Sequence, residues 1–201
     1  MRSAHVVFTR DLGVGARTER SCPDARALTL WGAALAVPTF DSFHSLERRN
    51  SDRSVVTEQR VSVTHPVVPW SELGARTLGH RYWVEVTRAT RGLVRCRQTR
   101  NRVELTVLGV GPPLLRLAGA EVVVEADRVA CTYRIRGGLL ALREGGALAV
   151  SQIGGEQPEL RVTVEGFFAR LGDGVLYDLQ HRAHSAVSRH YLRQLLAEAS
   201  A

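Results

Sequence analysis

The sequence predicts an α+β fold: an antiparallel meander of about seven or eight strands curved around a long C-terminal helix. Three observations predict it. Between residues 54 and 169, short apolar–polar alternations recur about every ten residues, with Gly, Pro, Asn or Asp between them. Residues 175–199 then run without Pro or Gly and carry a helical period. The apolar arc of that helix is about twice the roughly 100° that a helix resting on one flat sheet needs, so it should be gripped on two sides.

Residues 1–53 show no sustained period. They carry scattered Arg, Asp and Ser, with LERRNSDRS at 46–54 the most polar stretch, and are expected to form a poorly structured extension or linker. The run ALTLWGAALAV at 27–37 has a leader too long and too acidic for a secretion signal. A single domain is expected over 54–199.

The first strand is expected in QRVSVTH, where Val61 and Val63 alternate with polar neighbours before His65-Pro66. VPWSELGARTLG at 68–79 has Ser71 as a cap and Gly74 and Gly79 as stops, which predicts a short helix. RYWVEVTR at 81–88 alternates and is expected to be a strand. So are GLVRCRQ (92–98), RVELTVLG (102–109), LLRLAG (114–119), AEVVVEA (120–126), RVACTYRIR (128–136), GALAVSQ (146–152) and ELRVTVEGFF (159–168). In the final helix, started by Asp173, one stripe carries Leu176, Leu179, Ala183, Ala186, Val187 and His190. A second carries Tyr177, His184, Tyr191 and Leu195. Asp178, Arg182, Arg189 and Arg193 fill a narrow polar sector.

Composition excludes several function classes. Net charge is +7 and pI about 10.3, but all 27 basic residues are arginine, in a chain rich in Ala, Val, Leu and Gly. GC-rich coding of a bacterial type produces that bias, so basicity alone does not indicate nucleic acid. Without lysine there is no Walker A loop and no Schiff-base lysine. GxSxG and HExxH are missing, and LGVGPP is no dinucleotide fingerprint. Cys22, Cys96 and Cys131 form no CxxC pair, which argues against a zinc site or disulfide framework and fits a reducing cytoplasm. Cys96 and Cys131 fall on inward strand positions and are expected to pack as small hydrophobes. No apolar run reaches the length of a membrane span.

The arginines of the strands, Arg95, Arg97, Arg100, Arg134 and their neighbours, alternate with Val94, Cys96, Tyr133 and Ile135. Such alternation is what a wet sheet face gives when Arg is the preferred polar residue, with Glu85, Glu104 and Glu125 interleaved. His181 and His184 stand three apart, but no third metal ligand can be named, so neither a metal nor any other cofactor is expected. Tyr177, His184 and Tyr191, spaced by sevens, suit a cavity wall, each giving an apolar body and one polar handle; Trp83 is a candidate for the same wall.

The order of strand, short helical segment, long meander and doubly gripped helix resembles the helix-grip architecture of START-like, polyketide-cyclase-like domains over 54–199. The segment between the first two strands is short for the usual helical pair. A calycin-like barrel with the helix packed outside is the alternative. Either layout implies a hydrophobic small molecule inside the curved sheet. The leading expectation is therefore a small-molecule or lipid-binding protein without catalysis, lined by Tyr177, His184, Tyr191 and Trp83. A basic module binding nucleic acid or an acidic partner through Arg95, Arg97, Arg100 and Arg134 is the second reading. A cyclase- or isomerase-like enzyme using His184 or Tyr191 is the third. Oligomeric state is not legible.

Overall fold

The computed structural model describes residues 43–170 and 175–199, with side chains in the last segment from 180 to 198. The apolar run at 27–37, Cys22, Asp173 and the side chains of Leu176, Tyr177, Asp178 and Leu179 therefore lie outside the described residues.

The described chain builds β1 (Phe43–Arg49), β2 (Val55–Ser62), α1 (Glu72–Ala89), β3 (Val94–Gln98), β4 (Arg102–Val107) and β5 (Val110–Ala118). There follow β6 (Glu121–Val124), β7 (Arg128–Gly137), β8 (Ala147–Ile153), β9 (Glu159–Phe167) and α2 (Val175–Ala199). The strands form one antiparallel sheet in the order β1-β2-β9-β8-β7-β5-β4-β3, and β6 shares with β5 the outer edge of β7. Two places break the meander: β2, before α1, pairs with the last strand, β9, and β5 pairs with β7 past the short β6. That order, with α1 inserted after β2 and α2 closing the chain, is an α+β, helix-grip-like layout. β1 and β3 end the sheet and do not pair with each other, so the sheet is open and the closed-barrel alternative is set aside.

Period-two patterning explains the faces. In β2, Val55, Thr57, Gln59 and Val61 point inward, and in β9 Leu160, Val162 and Val164 do the same. In β7, Val129, Cys131, Tyr133 and Ile135 are buried while Arg128, Arg134 and Arg136 are exposed. The arginines form the wet face. Arg134 donates to Glu121 at 2.8 Å and Arg136 pairs with Glu144.

Two elements differ from expectation. β1 lies within the stretch expected to be linker; it is an edge strand with six exposed residues and one half-buried, so it carries no apolar alternation to find. The stretch 81–88 is helix, not strand. α1 is capped by Ser71, whose Oγ accepts from Gly74 N at 3.2 Å, and runs 18 residues through Trp83 to Ala89. Its buried face of Ala75, Leu78, Tyr82, Trp83, Glu85 and Val86 follows helical spacing. Gly74 and Gly79 do not stop it. A Cβ at Gly79 would lie 2.4 Å from Tyr133 Oη and 2.5 Å from Cys131 Sγ, so glycine is what lets α1 seat on β7.

α2 packs on α1 and on β2 and β9. The two sides that hold it are thus one helix and the β2–β9 part of the sheet face. Of its buried positions, Tyr191 and Leu195 belong to the second expected stripe, whereas Ser185, Ser188, Leu192 and Leu196 lie outside both, and Ala183 and Ala186 of the first stripe are exposed. An aromatic relay joins the layers: Tyr191 meets Tyr82 edge-on at 5.2 Å, Tyr82 meets Trp83 at 5.0 Å, and Trp83 meets Tyr133 of β7 at 5.0 Å. Each such pair adds about 0.5–1.5 kcal/mol beyond its area burial. Glu85, expected on an outward strand position, is instead buried on α1. Arg88 donates to its Oε1 at 2.6 Å, and His190 Nε2 of α2 lies 3.1 Å from its Oε2.

The connection from β2 into α1 is pinned by Gln152 of β8, which is fully buried. Its Oε1 accepts from Val67 N at 2.6 Å and Val68 N at 3.0 Å, and its Nε2 donates to Val68 O at 2.9 Å. Gln152→Leu strands these backbone groups, so chemical denaturation should show a loss of about 2 kcal/mol. A change under about 0.5 kcal/mol would mean that this pin is dispensable. Among the described residues no helix is long and apolar enough to cross a membrane.

Candidate functional site

Between the two helices and the sheet lies a cavity of about 330 Å³. It exists because the helices cover different parts of one sheet face: α1 rests on β7, β8 and β3, while α2 rests on β2 and β9. Val55 and Thr57 of β2 and Val164 and Phe167 of β9 line it beneath α2, and Leu148 of β8 lines it as well. Tyr82, Trp83 and Val86 of α1 and Leu105, Leu115, Leu117 and Ile135 of β4, β5 and β7 complete the apolar wall. Gln180, His181, Ala183, His184 and Val187 of α2 close it.

Four polar atoms of this wall stand apart. Thr57 Oγ1, Trp83 Nε1, Gln180 Oε1 and His184 Nε2 are sealed from solvent and have no hydrogen-bond partner among the described residues. Buried polar atoms are normally paired, because an unmade bond in a dry setting costs about 1–3 kcal/mol. His184 is half-buried overall, and burial pushes its pKa down to about 4, with the neighbouring His181 acting in the same direction.

That shift has a consequence for acid stability. The folded protein keeps His184 neutral down to about pH 4, whereas the unfolded chain takes up the proton near 6.5. Between those values the unfolded state binds more protons, so His184 lowers stability as pH falls from about 6.5 to 4 and has no effect above. The effect should reach about 2–3 kcal/mol at the acid end. Comparing urea midpoints of the natural protein and His184→Leu from pH 7.5 to 4 isolates it. The gap between them should shift in favour of the variant on acidification, and parallel curves would contradict the assignment.

His181 reaches outward instead. Its Nε2 lies 3.1 Å from Glu47 Oε2 of β1 and 3.4 Å from Ser185 Oγ. Gln59 of β2 is fully buried beside it, donating to Ser45 Oγ and lying 3.5 Å from Ser185 Oγ, while Arg189 Nε approaches Gln59 Oε1 at 3.4 Å. The edge strand β1 is thus tied to α2 by polar groups.

Of the four residues singled out from sequence, the structure brings Trp83 and His184 to the cavity. Tyr191 is fully buried behind the wall; its hydroxyl donates to Leu78 O at 3.0 Å and its ring rests on Tyr82. A hydroxyl that finds a backbone acceptor in the core leaves no handle for a guest. The Tyr177 side chain lies outside the described residues. Thr57 and Gln180 were not singled out, since an isolated Thr in a strand and a Gln in a helix carry no sequence signal. Among the described residues no three His, Cys, Asp or Glu side chains come close enough to hold a metal.

Cys131 is buried in β7 and Cys96 half-buried in β3; both are free. Burial pushes the Cys96 thiol up to about 12 and raises Cys131 as well, so neither is a thiolate near neutral pH. Arg95, Arg97 and Arg100 are exposed. Arg97 faces Glu104 in the β3–β4 register, and Arg134 is held by Glu121.

No family model matches the chain, and no curated protein matches it. Among solved structures, CalU16 from Micromonospora echinospora is similar at 11% identity, over 79% of this chain and 92% of that one, with a TM-score of 0.27. A likeness that distant adds no weight; the fold assignment rests on the strand order.

Proposed function

We propose that this protein binds a small hydrophobic molecule, without catalysis, in a START-like helix-grip cavity. The observation that carries the reading is the cavity of about 330 Å³, lined almost wholly by apolar side chains. Binding sites for small molecules are concave, apolar and supplied with a few convergent polar groups, which is this wall's composition. Trp83 and His184 are the proposed lining residues from α1 and α2. Tyr177, two helical turns before His184, is proposed for the same wall on spacing alone, and Tyr191 supports it from behind. The free, protonated thiols suit the reducing cytoplasm proposed for the protein.

Less supports the arginine-face reading. Phosphate binding needs arginines that are clustered and uncommitted, whereas Arg134 is held by Glu121. A catalytic reading would need an acid and a base poised near neutrality. Burial pushes His184 well below that range and raises Tyr82 and Tyr191 above theirs.

Native mass spectrometry of the gently purified protein, with thermal shifts across a panel of lipids and polycyclic aromatics, tests the proposal. A copurifying small molecule, or stabilisation of about 2.7 kcal/mol at a hundredfold excess over Kd, is expected. A protein that emerges empty and is stabilised by nothing in the panel would refute it.

A further inference from the structure

Resting on that reading, we propose that the cavity selects an uncharged ligand: an apolar skeleton carrying a hydroxyl that docks among Thr57 Oγ1, Gln180 Oε1 and His184 Nε2. The first argument is the charge of the wall. Among the described residues that line it, none is Arg, Asp or Glu, and the chain has no lysine. His181 is turned to Glu47. A carboxylate or ammonium drawn into such a site would lose its hydration with nothing opposite to it, which is costly. His184, held neutral by burial, is no counter-ion for an acid.

The second argument is three of the four orphaned atoms of the wall; the fourth, Trp83 Nε1, belongs to α1. Thr57 is almost wholly buried, and its Oγ1, like Gln180 Oε1 and His184 Nε2, is sealed without a partner. They belong to one end of the cavity. Thr57 pairs with Glu47 in the β1–β2 register, and Glu47 in turn meets His181, so Thr57 lies beside the turn of α2 that carries Gln180 and His184. The opposite wall, from Val94, Leu105 and Leu115, is apolar apart from Thr90, whose hydroxyl already donates to Val86 O and accepts from Val94 N. A guest therefore meets one polar end and one greasy end. A hydroxyl suits the polar end because it donates and accepts at once, and so serves either tautomer of His184. Water alone would leave the apolar volume unfilled.

Three probes with one skeleton test this: anthracene, 2-hydroxyanthracene and anthracene-2-carboxylate, titrated near pH 7.5 and followed by quenching of tryptophan fluorescence. The natural protein should bind the alcohol at least tenfold tighter than either the hydrocarbon or the acid. Thr57→Val and Gln180→Leu, each checked for cooperative unfolding, should erase several-fold of the alcohol's advantage while leaving anthracene affinity within about twofold. If either variant fails to fold, His184→Leu provides the same comparison. Tighter binding of the acid, or an alcohol preference that survives every substitution, would overturn the inference while leaving the cavity as a binding site. Failure of all three probes to bind would count against the binding reading as well.

Discussion

A chain carrying valine at position 79 should be about 3 kcal/mol less stable than the natural protein, and its melting temperature should fall by about 6–12 °C. Gly79 sits where α1 crosses β7, and an added Cβ would lie 2.4 Å from Tyr133 Oη and 2.5 Å from Cys131 Sγ. Neither neighbour can give way easily. Both are buried on β7, which is paired along one edge by β8 and along the other by β5 and β6. The helix must therefore lift, which also opens the Trp83–Tyr133 contact. Alanine should cost less, since its better helix propensity returns about 0.5–1 kcal/mol. Pairing the valine with Cys131→Ala should recover part of the loss, a coupling that a double-mutant cycle in urea can read. Tolerance of valine within about 0.5 kcal/mol would mean that α1 does not seat on β7 as described.

Leu148→Trp should weaken binding of a cavity ligand at least tenfold, about 1.4 kcal/mol, while the protein still folds cooperatively. Leu148 is buried near the start of β8, in register with Tyr133 on one side and Val164 on the other, and it lines the cavity. A larger ring there enters the hollow that a ligand would fill. Overpacking in a filled core costs about 1–3 kcal/mol, but here the ring has a void to occupy, so the stability change should stay under about 1.5 kcal/mol. Unchanged affinity in a folded variant would place the ligand elsewhere.

Much of this architecture is legible in the residues. In β7 the alternation of arginines against Val129, Cys131, Tyr133 and Ile135 states both the strand and its wet face. The uninterrupted run of α2 states its length, 175–199. What misleads is local. Tyr82, Val84 and Val86 are good strand formers spaced by two, and only the contacts of Ala75, Leu78, Tyr82 and Val86 with the sheet reveal a helical face. Gly74 and Gly79 look like punctuation, yet each marks a close approach, to Pro69 O and to β7 respectively. β1 is invisible because an edge strand with no buried face needs no pattern.

The site is less legible than the fold for a related reason. Helical periodicity places Tyr177, His184 and Tyr191 on one line, but it cannot say which part of that line faces a hollow. His184 meets the cavity; Tyr191, two turns on, meets α1 and gives its hydroxyl to Leu78 O. The rotation that exposes Ala183 and Ala186 and buries Ser185 and Ser188 is set by α1 and β2 together, which no single helix encodes. Thr57 and Gln180 acquire meaning only once their partners are seen to be missing.

Titration with N-phenyl-1-naphthylamine, a neutral dye that brightens in apolar surroundings, tests the central claim most directly. A hollow between α2 and the sheet predicts saturable binding of one dye per chain, weakened at least tenfold by Leu148→Trp. Dye fluorescence that rises without saturating, or that is indifferent to tryptophan at position 148, would contradict it.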